Sequence, residues 1–552
     1  MYAGAWLLLL LFCAGYLGFC FALRGLVTSD TCWLLALGRL MYQTHYVPQS
    51  DPLSFTLPLA AAVGMPLPFI LHQWLFEVLL YGLFLVGKLH ALIAVCSAAL
   101  AMAFVSVPLV ICARANAPKC FVYAILPLAA FSGAIRATVR PEVCTCLFLA
   151  LLLLTLQTMR IDAQKERTKP ASAGRLRWEL IIAAAAIEII WCNCHSGFVL
   201  GLGIMLVYAL SFLTQDVIDK KAIGPATKTG LLALVTATLV TLVNPAGVGL
   251  WMFMPYLLFS SIGQGITEMK HLEAADFGRV VLYPFFALLV LAFVAIAKSV
   301  RRQRAHDVGS TDGVALSWKS PLPMASIILI CAASFEALNC MRLIPVMALL
   351  LLSESTALVG NTDSTKGPEV AAGETTAAED DNGGDFLLVG LFRGWSETAR
   401  RNLWLATIAL PPVVATLSAL LFAGKVSSLS LPQPSEFFNP PVRAIEFLRQ
   451  HPPQGPVFNE AKIGSMITWY LPERKVFLDT RFDEYGPMLL ADYNRILYAQ
   501  DNCLPTLDQY GIDWVFVTPQ APIAVTLEHV GGWQRVYSDN DAVIFVRKDQ
   551  EK

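Results

Sequence analysis

Eleven apolar runs decide what this chain can fold into. They cover residues 5–23, 89–113, 119–135, 141–159, 178–193, 197–214, 229–243, 278–298, 321–338, 341–353 and 402–424. A hydrocarbon core about 30 Å thick takes a helix of about 17–25 apolar residues. In that solvent only a helix or a closed barrel satisfies its own backbone. The chain therefore reads as a mainly α, polytopic membrane protein of about eleven spans. Composition agrees, with 56% of 552 residues apolar and 15% charged, against about 45–50% and 25% in soluble domains. A disordered chain, a collagen and an ordinary cytosolic enzyme are excluded. Lys and Arg number 40 and Asp and Glu 41, so no basic excess points to a nucleic-acid partner. The 13 Cys lie mostly within apolar runs, without metal-ligand spacing, and read as small buried hydrophobes.

Basic residues orient the spans. Loop 160–177 carries Arg160, Lys165, Arg167, Lys169, Arg175 and Arg177, and loop 298–319 carries Lys298, Arg301, Arg302, Arg304 and Lys319. With Arg114, Lys119, Lys220, Lys221 and Lys228, they mark the cytoplasmic side of a cytoplasmic (inner) membrane. Short loops at 136–140, 193–197, 244–277 and 339–342 then face outward. Residues 1–23 lack a basic leader and a clear cleavage site and read as a retained first helix. A further run, 67–87, carries His72, Gln73 and Glu77. If it lies along the outer interface, loop 24–66 faces out; if it crosses, that loop is cytoplasmic. Its polar content favours the first arrangement and Arg24 the second.

The membrane domain spans 1–353. Residues 354–400, with GETTAAEDDNGGD, read as an acidic flexible cytoplasmic linker. A last transmembrane helix at 401–425 leads to 432–552, an extracytoplasmic α/β domain. Its helix begins at Asn439–Pro440, and its strands are expected at KVFL (475–478), DWVFV (513–517) and AVIFVR (542–547). Helices are expected between them near 486–499 and 504–510.

The outer loops hold the unusual residues. Asp30 and Asp51 flank an amphipathic stretch; His72 and Glu77 follow. Then come Arg136 and Arg140, Asn193 and His195 in WCNCHSGF, Glu268, and Arg342. Together they suggest one outward polar cavity. Its carboxylates can act as a base or hold a divalent cation, magnesium or manganese. Its arginines can clamp a phosphate in bidentate fashion. The bland readings are interfacial anchors for Arg136 and Arg140, a helix-end cap for His195, a helix N-cap for Asp30 and a turn for Asp51 in QSDPLSF.

The order of motifs carries a resemblance. An outer Asp, an interfacial helix, P-x-x-D-P-x-S-F-T, H-x-W-L-x-E, R-P, W-x-N-x-H-x-G-F and L-x-N-P precede an outer domain containing ERKVFLDTRFDEYG and GGWQRVYSD. In this the chain resembles bacterial multipass proteins of the GT-C superfold, glycosyltransferases that use polyprenyl-phosphate-linked sugars. The resemblance implies interfacial helices at 31–42 and 67–87, and hence the outward arrangement of loop 24–66. It makes Asp30 the catalytic base, with Glu77 and Asp51 as lesser candidates. Arg136, Arg140, His195 and Asn193 would serve the donor phosphate, and His72, Glu268 and Arg342 would line the cavity. The partners are then a lipid-linked donor, the bilayer and an acceptor of unknown kind. The chain departs from the pattern at Leu34, Gln73 and Ser196. A transporter or non-catalytic scaffold is the alternative; a transporter would show inverted repeats and broken helices, and neither is evident.

Overall fold

The computed structural model describes residues 2–24, 28–62, 69–168, 175–219, 222–259, 279–308, 321–360, 397–423 and 441–548. Every one of the eleven apolar runs is helical. In chain order the N-terminal part contains α1 (Tyr2–Arg24), α2 (Ser29–Thr44), α3 (Thr56–Ala62), α4 (Trp74–Ala101), α5 (Val107–Arg114), α6 (Lys119–Gly133), α7 (Glu142–Thr168), α8 (Trp178–Cys194) and α9 (Phe198–Ile218). There follow α10 (Pro225–Val240), α11 (Val248–Phe259), α12 (Tyr283–Val308), α13 (Pro321–Asn339), α14 (Ile344–Val359) and α15 (Glu397–Ala423). Among the described residues seven helices are long and apolar enough to cross a bilayer, and α1, α10, α11 and α13 contain shorter apolar stretches. Two boundaries differ from expectation. The segment 354–359 continues α14 instead of starting the linker, and α11 lies within the stretch expected to be loop. Residues 361–396, which carry the acidic run, and Asn439 lie outside the described residues.

Helix α4 runs on through a π turn at Met102–Ser106 into α5, 41 residues in all. At about 1.5 Å per residue that is about 60 Å, twice the hydrocarbon thickness. The chain resolves the excess by breaking. Gly87 (φ −144°) and Lys88 (φ 53°, ψ −145°) leave helical geometry, which detaches 74–86 from the span that follows. The polar run 67–87 therefore does not continue as one straight crossing helix.

The bundle core is shared by nearly all the helices. Helices α1 and α15 meet closely: a Cβ on Gly18 would fall 2.1 Å from the Ala415 carbonyl oxygen, so only glycine permits this approach. Ser418 donates to the Gly15 carbonyl (2.7 Å), and Thr416 to that of Ala94 (3.1 Å).

The C-terminal domain contains α16 (Val442–Gln450), β1 (Val457–Asn459), α17 (Ala461–Tyr470), α18 (Phe482–Leu497), α19 (Cys503–Gln509), β2 (Trp514–Val517), α20 (Pro522–His529), β3 (Trp533–Ser538) and β4 (Val543–Arg547). The sheet order is β1-β2-β4-β3, with β1 parallel to β2 and the other pairs antiparallel. Trp514–Val517 is buried throughout, as a central strand covered on both faces requires. One expected strand is not in the sheet: KVFL makes only a parallel bridge, Val476 to Ser54 of the first loop. Phe55 N–H donates to Val476 O (3.1 Å) and Val476 N–H to Leu53 O (3.0 Å). Its β-branched and aromatic residues thus serve an inter-domain seam. The first loop also enters both domain cores, Leu57 on one side of the sheet and Cys32 on the other. The described part of the first loop, 28–62, and the C-terminal domain therefore lie on one face of the bundle. The arrangement that would put them on opposite sides of a membrane is excluded.

Candidate functional site

The site forms where the heads of α2 and α7, the α8–α9 junction and the segment before α14 meet under the C-terminal domain. Asp30 stands in the first turn of α2. Its Oδ2 pairs with Arg140 Nη2 at 2.8 Å, and its Oδ1 accepts a hydrogen bond from Thr480 Oγ1. Arg140 immediately precedes Pro141, which opens α7, and Glu142 follows in the first turn. Proline is favoured at a helix start and a carboxylate there meets the positive end of the helix dipole. Glu142 then gathers cations: Arg342 Nη2 at 2.6 Å and Nε at 3.0 Å, and Arg136 Nη2 at 3.5 Å. Arg140 and His195 also act on its charge.

His195 lies in extended backbone between α8 and α9. Its Nδ1 accepts from Gly197 N–H (3.0 Å) and lies 2.8 Å from Thr145 Oγ1, which itself accepts from Trp191 Nε1 (3.1 Å). With Nδ1 an acceptor, the ring proton sits on Nε2. Burial pushes the imidazole down to about 4, with Glu142 opposing and Arg342 and His72 reinforcing the shift. His195 is thus a neutral N–H donor at physiological pH. Among the described residues three guanidinium groups and two carboxylates meet at this end of the bundle.

Other sequence candidates are placed differently. Asn193 donates to the Ile189 and Val243 carbonyls (2.7 and 2.9 Å) and accepts from Trp74 Nε1 (2.7 Å). Both amide protons are engaged, so it pins α4 to α8 and has no donor for a phosphate. Asp51 is buried, caps the Leu53 and Ser54 amides (3.2 and 2.9 Å), and pairs with Arg481 Nη1 at 2.9 Å. These contacts dock the first loop on the C-terminal domain: Arg481 also grips Asp479 through Nη2 at 2.7 Å and is held charged well above its usual range, the paired carboxylates outweighing burial. Glu77 is fully buried where α4 crosses α2 at Gly38. His72 is buried beside Phe253, its ring 5.8 Å away, and within charge reach of His195. Glu268 lies outside the described residues. Sequence reading missed Glu142, Thr480 and Arg481. The signals were R-P-E at the head of a span and D-T-R between an apolar run and a helix, each readable as ordinary capping.

Among the described residues no three His, Cys, Asp or Glu side chains converge on a metal position. Asp30 and Glu142 are each turned toward guanidinium groups instead.

Neither a family model nor a curated protein sequence matches the chain. Solved structures do. The Archaeoglobus fulgidus oligosaccharyltransferase, tethered with an acceptor peptide containing the NVT sequon, superposes with a TM-score of 0.51 at 11% identity, over 98% of this chain and 74% of that one. Archaeoglobus fulgidus AglB, in complex with an inhibitory peptide and a dolichol-phosphate, gives 0.51 and 11%, over 99% and 75%. ArnT from Cupriavidus metallidurans, bound to undecaprenyl phosphate, gives 0.46 and 13%, over 98% of both chains. At such identities the likeness is one of fold. The class the architecture defines is a polytopic helical membrane protein carrying a small α/β domain. Within that class this chain has the GT-C fold of the archaeal oligosaccharyltransferase, as its motif order implied.

Proposed function

We propose that the protein is an inverting membrane glycosyltransferase that moves a sugar from a polyprenyl-phosphate-linked donor to an acceptor on the outer face of the cytoplasmic membrane. The observation that carries the reading is the convergence of Asp30, Arg140, Arg136, Arg342 and a neutral His195 at one end of a lipid-embedded bundle. A carboxylate oxygen has two acceptor sites, so Asp30 retains room for an acceptor hydroxyl beside Arg140 and Thr480. It takes the hydroxyl proton as the oxygen attacks the anomeric carbon. The bond from that carbon to the phosphate oxygen breaks, and the lipid phosphate leaves with the electron pair. Arg136, Arg140 and Arg342 offset the charge that develops on it, and His195 Nε2–H donates to it. The polyprenyl tail lies between helices, on the apolar side chains the bundle exposes. The dolichol-phosphate in the archaeal neighbour with the same fold supports this donor class.

The test offers purified protein in nanodiscs a radiolabelled polyprenyl-phosphate sugar and, separately, a nucleotide sugar, each with envelope lipid extract as the acceptor source. Label should leave the lipid-linked donor only. Transfer from the nucleotide sugar with no lipid carrier present overturns the reading. Inertness toward both donors, with a labelled sugar instead crossing a sealed vesicle, establishes the transporter alternative.

A further inference from the structure

The C-terminal domain reaches into the site with one side chain. Thr480 sits between the buried run 476–479 and α18, and its hydroxyl touches three groups. Asp30 Oδ1 accepts from it, Trp33 Nε1 donates to it at 3.2 Å, and Ser465 Oγ lies 3.0 Å away. The Thr480 N–H in turn donates to Ser465 Oγ at 3.2 Å. The direction of the chain is set by its first member: an indole N–H can only donate. At the other end a carboxylate can only accept, so the single Thr480 proton goes to Asp30. Asp30 and Trp33 stand three residues apart on one face of α2, so both ends of the relay are fixed by the same helix. The next residue, Arg481, is anchored by Asp479 and by Asp51 of the first loop. Thr480 is thus held in position from both domains.

We infer that Thr480 is a positioning residue for the candidate base, and that the C-terminal domain completes the catalytic site instead of merely covering it. This rests on the reading of Asp30 given above. With Arg140 on Oδ2 and Thr480 on Oδ1, the carboxylate has one orientation, and its remaining lone pairs face a defined direction for an acceptor hydroxyl. Without Thr480 the carboxylate keeps Arg140 but can rotate about its Cβ–Cγ bond. The rate then falls with no change at the donor-phosphate arginines.

Thr480→Val is nearly isosteric and removes the proton; Thr480→Ser keeps it. Trp33→Phe removes the upstream donor without altering the C-terminal domain. All are made in the full chain in nanodiscs, checked for unchanged melting, and assayed for release of sugar from the polyprenyl-phosphate donor. Thr480→Val should lower kcat roughly ten- to a hundred-fold, as loss of a hydrogen bond to a charged group does, with the donor KM unchanged. Thr480→Ser should restore most of the rate, and Trp33→Phe should give a smaller loss of kcat alone. Wild-type kcat in Thr480→Val, or equal losses in the Val and Ser variants, overturns the inference and leaves an interface contact. Wild-type kcat in Asp30→Asn overturns the reading beneath it, which separates the two failures.

Discussion

Helix α7 carries a charged cluster at each end, and the two are built on opposite principles. From Glu142 to Arg160 the helix rises about 27 Å at its usual 1.5 Å per residue. At the far end Arg160 Nη1 donates to Ser326 (2.6 Å) and lies 3.7 Å from Glu354 Oε2. Ser326 donates to the same Glu354 oxygen (2.6 Å). Glu354 Oε1 accepts from Tyr208 (2.7 Å) and Gln157 (3.3 Å). One cation meets one anion, the side chains are 5% and 0% exposed, and both Glu354 oxygens are bonded. At the site end three arginines meet two carboxylates, with exposures from 14% to 30%. A closed, neutral network ties α7, α9, α13 and α14 together. A half-open cluster of arginines and carboxylates, by contrast, stays within reach of a ligand. The presence of an ion pair alone does not separate structural from functional residues; access does.

That contrast can be broken experimentally, most strongly at Asp30. A general base contributes about 10²–10⁴-fold in rate, while an amide of the same shape keeps an oxygen that accepts from Arg140. Asp30→Asn should therefore nearly abolish transfer and leave melting close to wild type. Retention of more than a tenth of the rate would leave only a helix-end role. The far cluster should behave in the reverse sense. Glu354→Ala strands Arg160 and should lower stability by about 3–5 kcal/mol, whereas Arg160→Met with Glu354→Leu should recover most of that loss. Turnover per folded molecule should not change in either. Unaltered melting of Glu354→Ala would sink the structural account of this network.

Smaller effects sharpen the comparison. Arg140→Lys and Arg342→Lys keep the charge and lose the fork. Each should weaken donor binding by roughly tenfold, read as retention of a polyprenyl phosphate in native mass spectra. Wild-type retention in both would point to surface anchoring. The smallest effect concerns His195. Its folded-state value, depressed to about 4, lies below the ordinary 6.5 or so, so between these limits the unfolded chain binds the extra proton. Stability should fall as pH drops from about 6.5 toward 4 and then level off. His195→Gln should flatten melting temperature across that window. A wild-type slope in the variant would place the titration elsewhere.

The helical part of the fold was legible in the sequence because lipid imposes a simple rule. Each of the eleven apolar runs is a helix, since hydrocarbon leaves the backbone no other partner. Asp30, Arg136, Arg140, His195 and Arg342 are legible too, as polar residues at the ends of apolar runs. What could not be read was pairing. Asp51 and Asp30 look alike in sequence, yet one faces Arg481 in a buried seam and the other faces Arg140 in the site. Asn193 has the composition of a ligand and the bonds of a strut. KVFL has the composition of a strand, but it spends its pairing on the first loop.

The sequence by itself determined the solvent this chain folds in, the helices that solvent demands, and the polar residues gathered at their ends. Only the tertiary structure decided which charges meet, because Asp30 and Thr480, 450 residues apart, are brought together by the docking of one domain on another. Local pattern fixes an element through its own backbone and burial. A site is fixed by contacts between elements, and their partners carry no mark of one another along the chain.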